Sequence, residues 1–181
     1  MKSIFFDEIE NTQDFAINEF KKEPLLIVSK VQTSGRGTNQ NKWQNADQSL
    51  ATSLVFNKKI ISFTKTLIPL LAGYSYVSLV KNKNLKLKWP NDIIFKNDKV
   101  GGVLVEENNE LVCIGLGVNY FWENPSLPGA GAIYEEKQDD QKIFQDAEEW
   151  GRTILNYINN EDFSLENYTS KLTTLGKLVE Y

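Results

Sequence analysis

The sequence predicts an α+β fold, a mixed and largely antiparallel β-sheet with helices packed on it, and three observations carry that prediction. Strand-like segments come in runs and do not alternate strictly with helices. Two polar turn signals, KNDK at 96–99 and ENNE at 107–110, join three successive strand segments into a meander. A chain of 181 residues with 41% hydrophobic content can bury one substantial core, so a single domain is expected.

The elements follow in order. SIFFDEI reads as a first strand. Asn11 or Thr12 then caps a helix running to about Lys22, with Phe15, Ile17 and Phe20 available to its buried side. PLLIVSKV and SLATSLVF are apolar enough to be buried strands. A helix with an apolar stripe is expected from Thr64 to Asn82. LKLKW alternates, which places Leu85, Leu87 and Trp89 on one side and Lys86 and Lys88 on the other. DIIF, KVGGVLVEE and ELVCIGLGVNYF form the meander, and helices near 139–159 and 164–175 end the chain.

Composition removes several kinds of chemistry. The chain has no histidine, which excludes Ser/His/Asp and Cys/His triads and imidazole acid-base catalysis. One cysteine, Cys113, allows neither an internal disulfide nor a cysteine zinc site. Lysine, arginine, carboxylates, backbone N–H groups and a hard cation are left, the inventory of phosphate chemistry, although a binding module without chemistry fits the same composition. A net charge of -4 argues against a non-specific nucleic-acid coat. The amino terminus turns acidic after a few apolar residues and no run approaches the roughly 18 apolar residues of a membrane span, so a cytoplasmic protein is expected.

Three stretches carry candidate chemistry. QTSGRGTNQNKW, residues 32–43, lies in a polar connection too long for a passive turn. Gly35 and Gly37 permit positive φ and close approach of backbone N–H groups to an anion, and Arg36 between them offers a forked donor for phosphate oxygens. A flexible surface loop with an incidental Gly-Arg-Gly reads the same way locally. In KLKWPND, Lys88 ends a strand just before a Trp-Pro that extends and turns the chain, a fixed position suited to catalysis, though a solvated strand lysine is the plainer alternative. The third stretch ends in Asn119 after Gly115 and Gly117, placing an amide beside a glycine-lined surface, where the glycines could also merely relieve crowding.

In this order, the Gly-Arg-Gly loop ending in Trp, KWPND, GGVLVE and IGLGVN resemble the catalytic domain of biotin protein ligases (biotin-[acetyl-CoA-carboxylase] ligases), from about residue 5 to 175. The resemblance implies a class II aminoacyl-tRNA synthetase/biotin ligase-like fold. It also implies a two-step reaction in which biotin and MgATP give biotinyl-5'-AMP and pyrophosphate, and a lysine of the biotin carboxyl carrier protein of acetyl-CoA carboxylase then takes the biotinyl group. Residues 1–175 correspond to the catalytic domain, and 176–181 look like the first strand of a small carboxy-terminal β domain and no more of it. No DNA-binding helix-turn-helix precedes the first strand, so neither DNA binding nor a repressor role is expected.

The resemblance also assigns residues. Asn11, Thr12, Gln13 and Gln32 occupy biotin-contacting positions, which suits a ureido ring that needs neutral polar partners. Gly35, Arg36, Gly37, Thr38 and Lys88 complete the biotin set. Arg36 and Lys88 are the catalytic candidates, because a carboxylate attacking an α-phosphate needs cationic neutralisation. Arg36, Trp43, Lys88, Asn91 and Asn119 are expected to hold ATP and the adenylate, with Trp43 stacking on adenine and Asn119 hydrogen-bonding to it. Magnesium neutralises the leaving pyrophosphate without a dedicated protein cage. The loop offers little apolar area, so its ordering is expected to come from its ligands. Where family loops commonly carry further Arg or Lys, this chain has Thr38 and Asn41. Lipoate ligases and octanoyl transferases share the fold, and a non-catalytic biotin or nucleotide sensor of the same shape is a further alternative. The transferases require a nucleophilic cysteine, and Cys113 lies in an apolar strand.

Overall fold

The computed structural model describes residues 1–38, 41–61, 65–80, 83–108, 110–160, 162–173 and 175–176. Seven strands form one sheet: β1 Lys2–Ile9, β2 Leu25–Gln32, β3 Gln48–Asn57, β4 Lys86–Lys88, β5 Asp92–Phe95, β6 Asp98–Asn108 and β7 Leu111–Phe121. Their order is β1-β2-β3-β7-β6-β5-β4. Only β1 and β2 pair in parallel, joined through helix α1, Thr12–Glu19; every other pairing is antiparallel. The mixed, largely antiparallel α+β class expected from the sequence is therefore the one observed.

Helices cover both faces. On one face, α2 (Ile68–Leu79) and α3 (Asp140–Asn160) pack with Leu26, Val28, Leu50, Leu54, Ile114 and Val118 into the larger core. On the other, α1 covers a smaller cluster of Leu25, Ile27, Val55 and Cys113. The alternation within β2, Leu26 and Val28 to one side and Leu25 and Ile27 to the other, is the period of two that a sheet buried on both faces requires.

Local chemistry explains the helix ends and corrects some expectations. Asn11 caps α1, its Oδ1 accepting from the Gln13 and Asp14 N–H groups at 2.9 and 3.1 Å. The helix stops at Glu19, short of Lys22, as Phe20 turns extended ahead of the Glu23–Pro24 step. Ala16 is its fully buried apolar residue, and Phe15, Ile17 and Phe20 are only half-buried around the smaller cluster. A short 3-10 turn at Lys65–Leu67 leads into α2, which carries Pro69 in its first turn, where the missing N–H costs no helical hydrogen bond. The expected ends of that helix at Thr64 and Asn82 lie outside the described residues.

Two tertiary effects change the carboxy-terminal half of the prediction. Leu85 and Leu87 are buried as the alternation requires, but Trp89 is 63% exposed, because the chain leaves the strand at a cis Trp89–Pro90 turn. The last helix, α4, spans only Leu165–Thr169 instead of 164–175. The chain then adds itself to the open edge of β4: Leu87 N–H donates to the Lys171 carbonyl at 2.9 Å, and Thr173 N–H donates to the Leu87 carbonyl at 2.8 Å. Unpaired groups on an edge strand outcompete one more helical turn. Of the expected terminal strand at 176–181, all but Gly176 lies outside the described residues. No helix among the described residues is long and apolar enough to cross a membrane.

A buried polar chain ties α2 and α3 to the sheet. Tyr76 Oη–H donates to Tyr120 Oη at 3.0 Å, Tyr120 donates to Asp146 at 2.7 Å, and Lys142 donates to both Asp146 oxygens at 2.9 Å. Tyr120→Phe would leave the fully buried Tyr76 hydroxyl without its acceptor, so it should cost about 1–3 kcal/mol in urea unfolding. A change within experimental error would show that the network contributes packing alone.

Candidate functional site

The face that carries α1 also carries a cleft, and glycines create it. Positions 115, 117 and 119 of β7 point to this face, as do 102, 104 and 106 of β6, because directly paired residues share a face: Gly102 lies opposite Gly117, and Leu104 opposite Gly115. A Cβ on Gly115 would come within 2.6 Å of Gln13 Oε1, and one on Gly117 within 2.8 Å of the Trp43 ring. The side chains of helix α1 and of the long loop therefore rest directly on the strand backbone. Between them lies a narrow cavity that opens to solvent at its mouth.

Most residues expected at a site line this cavity: Asn11, Thr12, Gln13, Gln32, Arg36, Gly37, Thr38, Trp43 and Asn91, together with Gly115 and Gly117. Thr12 is held tightly, its N–H and hydroxyl both donating to Gln32 Oε1 at 2.8 and 3.0 Å, with Ser53 Oγ 2.8 Å from Thr12 Oγ1. Asn11 does structural duty, since its Oδ1 caps α1 and its amide donates to the Ser34 carbonyl. Asn91 ties the strands together, donating to the Val103 carbonyl at 2.9 Å.

Three buried polar atoms on this face have no partner among the described residues: Gln13 Nε2, Trp43 Nε1 and Asn119 Oδ1. Asn119 stands one step beyond Gly117 on the same side of β7, its amide group donating to the Gly131 carbonyl and its oxygen left unpaired. Orphaned buried groups cost stability, and two donors and an acceptor left unpaired on one sheet face, with Gln13 and Trp43 lining the cavity, suit a complementary polar ligand.

The loop differs from expectation in detail. It folds back on itself, with Trp43 N–H donating to the Gly35 carbonyl at 2.9 Å and Gly37 N–H to the Asn41 carbonyl at 2.7 Å, so the Gly37 amide is already used. Neither Gly35 nor Gly37 has a positive φ. Gly35 serves close packing instead: a Cβ there would sit 3.1 Å from Gln32 Nε2 and 3.2 Å from Trp43 Cβ. The Arg36 guanidinium meets Asp14 of α1 and Glu106 of β6 at 2.7–3.0 Å. Those hydrogen bonds raise the Arg36 pKa, and the one from Arg36 is the main reason the Asp14 carboxyl is lowered. The loop is thus tethered by polar contacts that its composition did not suggest.

Lys88 does not line the cavity. It lies on the same face two strands away, in one cross-strand row: Lys88 opposite Asp92, Asp92 opposite Gly102, Gly102 opposite Gly117. At about 4.8 Å per strand this puts the Lys88 backbone roughly 10 Å from that of Gly102. Lys88 and Lys86 line an adjoining groove with Lys96 and Lys99. Lys99, unnoticed in the sequence, lines both cavity and groove. Its Nζ lies 2.6 Å from Asp92 and 3.8 Å from where a Cβ on Gly102 would stand. The glycine pair after Lys99 was the available signal. Cys113 is buried, and burial is the main cause that pushes its thiol pKa up, so it is no nucleophile. No three of His, Cys, Asp and Glu converge as a metal cage among the described residues.

The sequence model of the biotin/lipoate A/B protein ligase family matches residues 5–119. The chain is 30% identical over 137 residues to the bifunctional ligase/repressor BirA of Bacillus subtilis, covering 69% of this chain and 42% of that protein. It is 26% identical over 132 residues to biotin–protein ligase 2 of Arabidopsis thaliana, covering 65% of this chain and 40% of that one. It therefore spans about two fifths of the length of these curated relatives. Among solved structures, the biotin protein ligase of Aquifex aeolicus in complex with biotin and ATP superposes with a TM-score of 0.83 at 25% identity, over 99% of this chain and 84% of that one.

The glycine-made cleft is open to a direct check. In a Trp89→Phe background, which removes the most exposed indole, Gly117→Ala should push Trp43 off the sheet and raise acrylamide quenching of the remaining tryptophans. Unchanged quenching would mean that the indole accommodates the methyl group without moving.

Proposed function

This chain belongs to the biotin/lipoate A/B protein ligase family, and from that premise we propose that it activates biotin with ATP to biotinyl-5'-AMP and pyrophosphate and then transfers biotin to a lysine of a biotin carboxyl carrier protein, that of acetyl-CoA carboxylase. Residues 1–175 are the catalytic unit in this reading, and a cytoplasmic setting belongs to it. The observation that carries it is one continuous sheet face on which a polar cavity leads past Lys99 to Lys88.

The parts divide the work by chemistry. Biotin's ureido carbonyl is an acceptor for the unpaired Gln13 amide, and its two N–H groups suit the oxygens of Thr12 and Gln32. The apolar tail lies along the glycine-lined strands toward Gly102. Its carboxylate and the α-phosphate are two anions that must approach one another, and Coulomb repulsion is the main barrier the protein can lower. Lys99 stands at that end of the cavity and Lys88 beyond it, one for each anion. Asp92, paired with Lys99, holds that ammonium in place. The unpaired Asn119 oxygen suits the exocyclic amine of adenine, and the Trp43 indole offers it a face. Among the described residues no carboxylate cage for a metal is found, and magnesium carried on the triphosphate would neutralise the leaving pyrophosphate without one. The buried Cys113 disfavours an octanoyl transferase, whose chemistry needs an accessible thiolate.

The deciding experiment is pyrophosphate release on mixing the chain with ATP and either biotin or lipoate, followed by mass spectrometry of an added carrier domain. Release with biotin and a biotin-sized mass increase on the carrier are expected; release with lipoate alone would replace this reading. Lys88→Ala and Lys99→Ala should each slow adenylation about 10- to 150-fold, the equivalent of one charge-assisted contact of about 1.5–3 kcal/mol, with little change in biotin affinity. Lys86→Ala should be mild, and equal effects from all three would reduce the lysines to a general potential.

Thr38 lines the cavity with a neutral side chain, and a cation there would add a contact to the acyl phosphate. Thr38→Arg, alone or with Asn41→Arg, should slow dissociation of biotinyl-AMP about tenfold and reduce biotin found on a bystander protein. Unchanged release would show that the intermediate is held from elsewhere.

A further inference from the structure

Arg36 is one of two cations that the sequence singles out, with Lys88, yet its charge is already spent. Its Nε–H and one Nη2–H donate to Glu106 at 3.0 and 2.8 Å, and its other Nη2–H and one Nη1–H donate to Asp14, both at 2.7 Å. Four of the five guanidinium N–H groups are thereby used, by two carboxylates that each take a fork. One positive charge faces two negative ones, so the cluster as a whole is anionic and repels a phosphate. The two anchors stand on different elements, Asp14 in the first turn of α1 and Glu106 on β6, while Arg36 belongs to the connection between β2 and β3. A single side chain thus ties the loop to both walls of the cavity it lines.

We propose that Asp14, Arg36 and Glu106 form a latch that holds the Gly-Arg-Gly loop against the cavity, and that Arg36 is a positioning residue whose guanidinium does not bind the phosphates. The latch governs how long a ligand stays, whereas Lys88 and Lys99 meet the reacting anions. The geometry around Arg36 supports this directly: Trp43 N–H donates to the Gly35 carbonyl and Gly37 N–H to the Asn41 carbonyl, so fixing Arg36 fixes the turn that lays Trp43 on Gly117. The part of the proposal that concerns the adenylate rests on the biotin-activation reading above; the closing of the loop does not.

The test compares the unaltered chain with Arg36→Ala, with Asp14→Asn/Glu106→Gln, and with the triple variant. Amide exchange of residues 33–38 and 41–45, read without ligands, should speed up about tenfold in the first two, leave β3 and β7 unchanged, and speed up no further in the triple variant, because all three break one device. With biotin and ATP, biotinyl-AMP should dissociate about tenfold faster and KM for ATP should rise, while kcat for adenylation in Asp14→Asn/Glu106→Gln stays within about twofold. A merely structural role would not split KM from kcat in this way. Two results would overturn the latch: unaltered loop exchange in the variants, or an ATP KM that falls in Asp14→Asn/Glu106→Gln, since a guanidinium freed from its carboxylates would then be binding phosphate. If the exchange results hold but no adenylate forms in any protein, the latch stands and the biotin-activation reading fails.

Discussion

The site depends on one close approach, that of helix α1 and the long loop to the bare backbone of β7 at Gly115 and Gly117. A methyl group at either position would meet Gln13 or Trp43 at under 3 Å, so the absence of two Cβ atoms decides where the polar groups of α1 and the loop come to rest. That contact cannot rest on apolar burial alone, because the facing residues are polar. It is completed by hydrogen bonds: Thr12 to Gln32, Asn11 to the Ser34 carbonyl, and Arg36 to Asp14 and Glu106. The same face remains polar enough to leave Gln13, Trp43 and Asn119 each with an unused group. Of the four buried polar side-chain atoms without a partner among the described residues, three lie on this face and Ser78 Oγ on α2, and unmet groups on a cleft wall are those a ligand can complete.

The larger core on the opposite face makes this tolerable. Leu26, Val28, Leu50, Ile114 and Val118 anchor the central strands to α2 and α3, and Trp150 both fills that core and donates to the Ala72 carbonyl at 3.0 Å. The glycines of β6 and β7 weaken their strands locally, since they pack no side chain. The central position of β3 and β7, each paired on both sides, compensates by fixing the backbone from either flank. The larger apolar core thus lies on one face of the sheet, and the smaller cluster and the cavity lie on the other.

What the sequence made legible follows the range of the forces involved. The meander was readable because alternation and turns are local signals, and the α+β class followed from the strands coming in runs. Trp89 was misplaced because the alternation of LKLKW runs straight into a proline turn, and α4 was drawn too long because its competitor, the open edge of β4, is far away in sequence, Thr173 pairing with Leu87 across 86 positions. Of the cavity residues, Asn11, Thr12, Gln13 and Gln32 were legible through the family resemblance, and Arg36 and Trp43 from the glycine-bearing loop. Lys99 was not, since a lysine after KND looks like any solvated turn residue, and only the β5–β6 register, with its irregularity at Ile93/Ile94, brings it beside Gly102. Asp14 and Glu106 read as ordinary surface acids. Arg36 was visible as a charge, but a sequence does not show whether a charge already has partners.

The central claim is that this glycine-made cavity is shaped for biotin. The most direct measurement is a calorimetric titration of the chain with biotin and, separately, with lipoate, which has a comparable acid tail but no ureido ring. The account predicts saturable binding of one biotin per chain and no detectable heat from lipoate under the same conditions. Tighter binding of lipoate, or no binding of biotin at millimolar concentration, would contradict it.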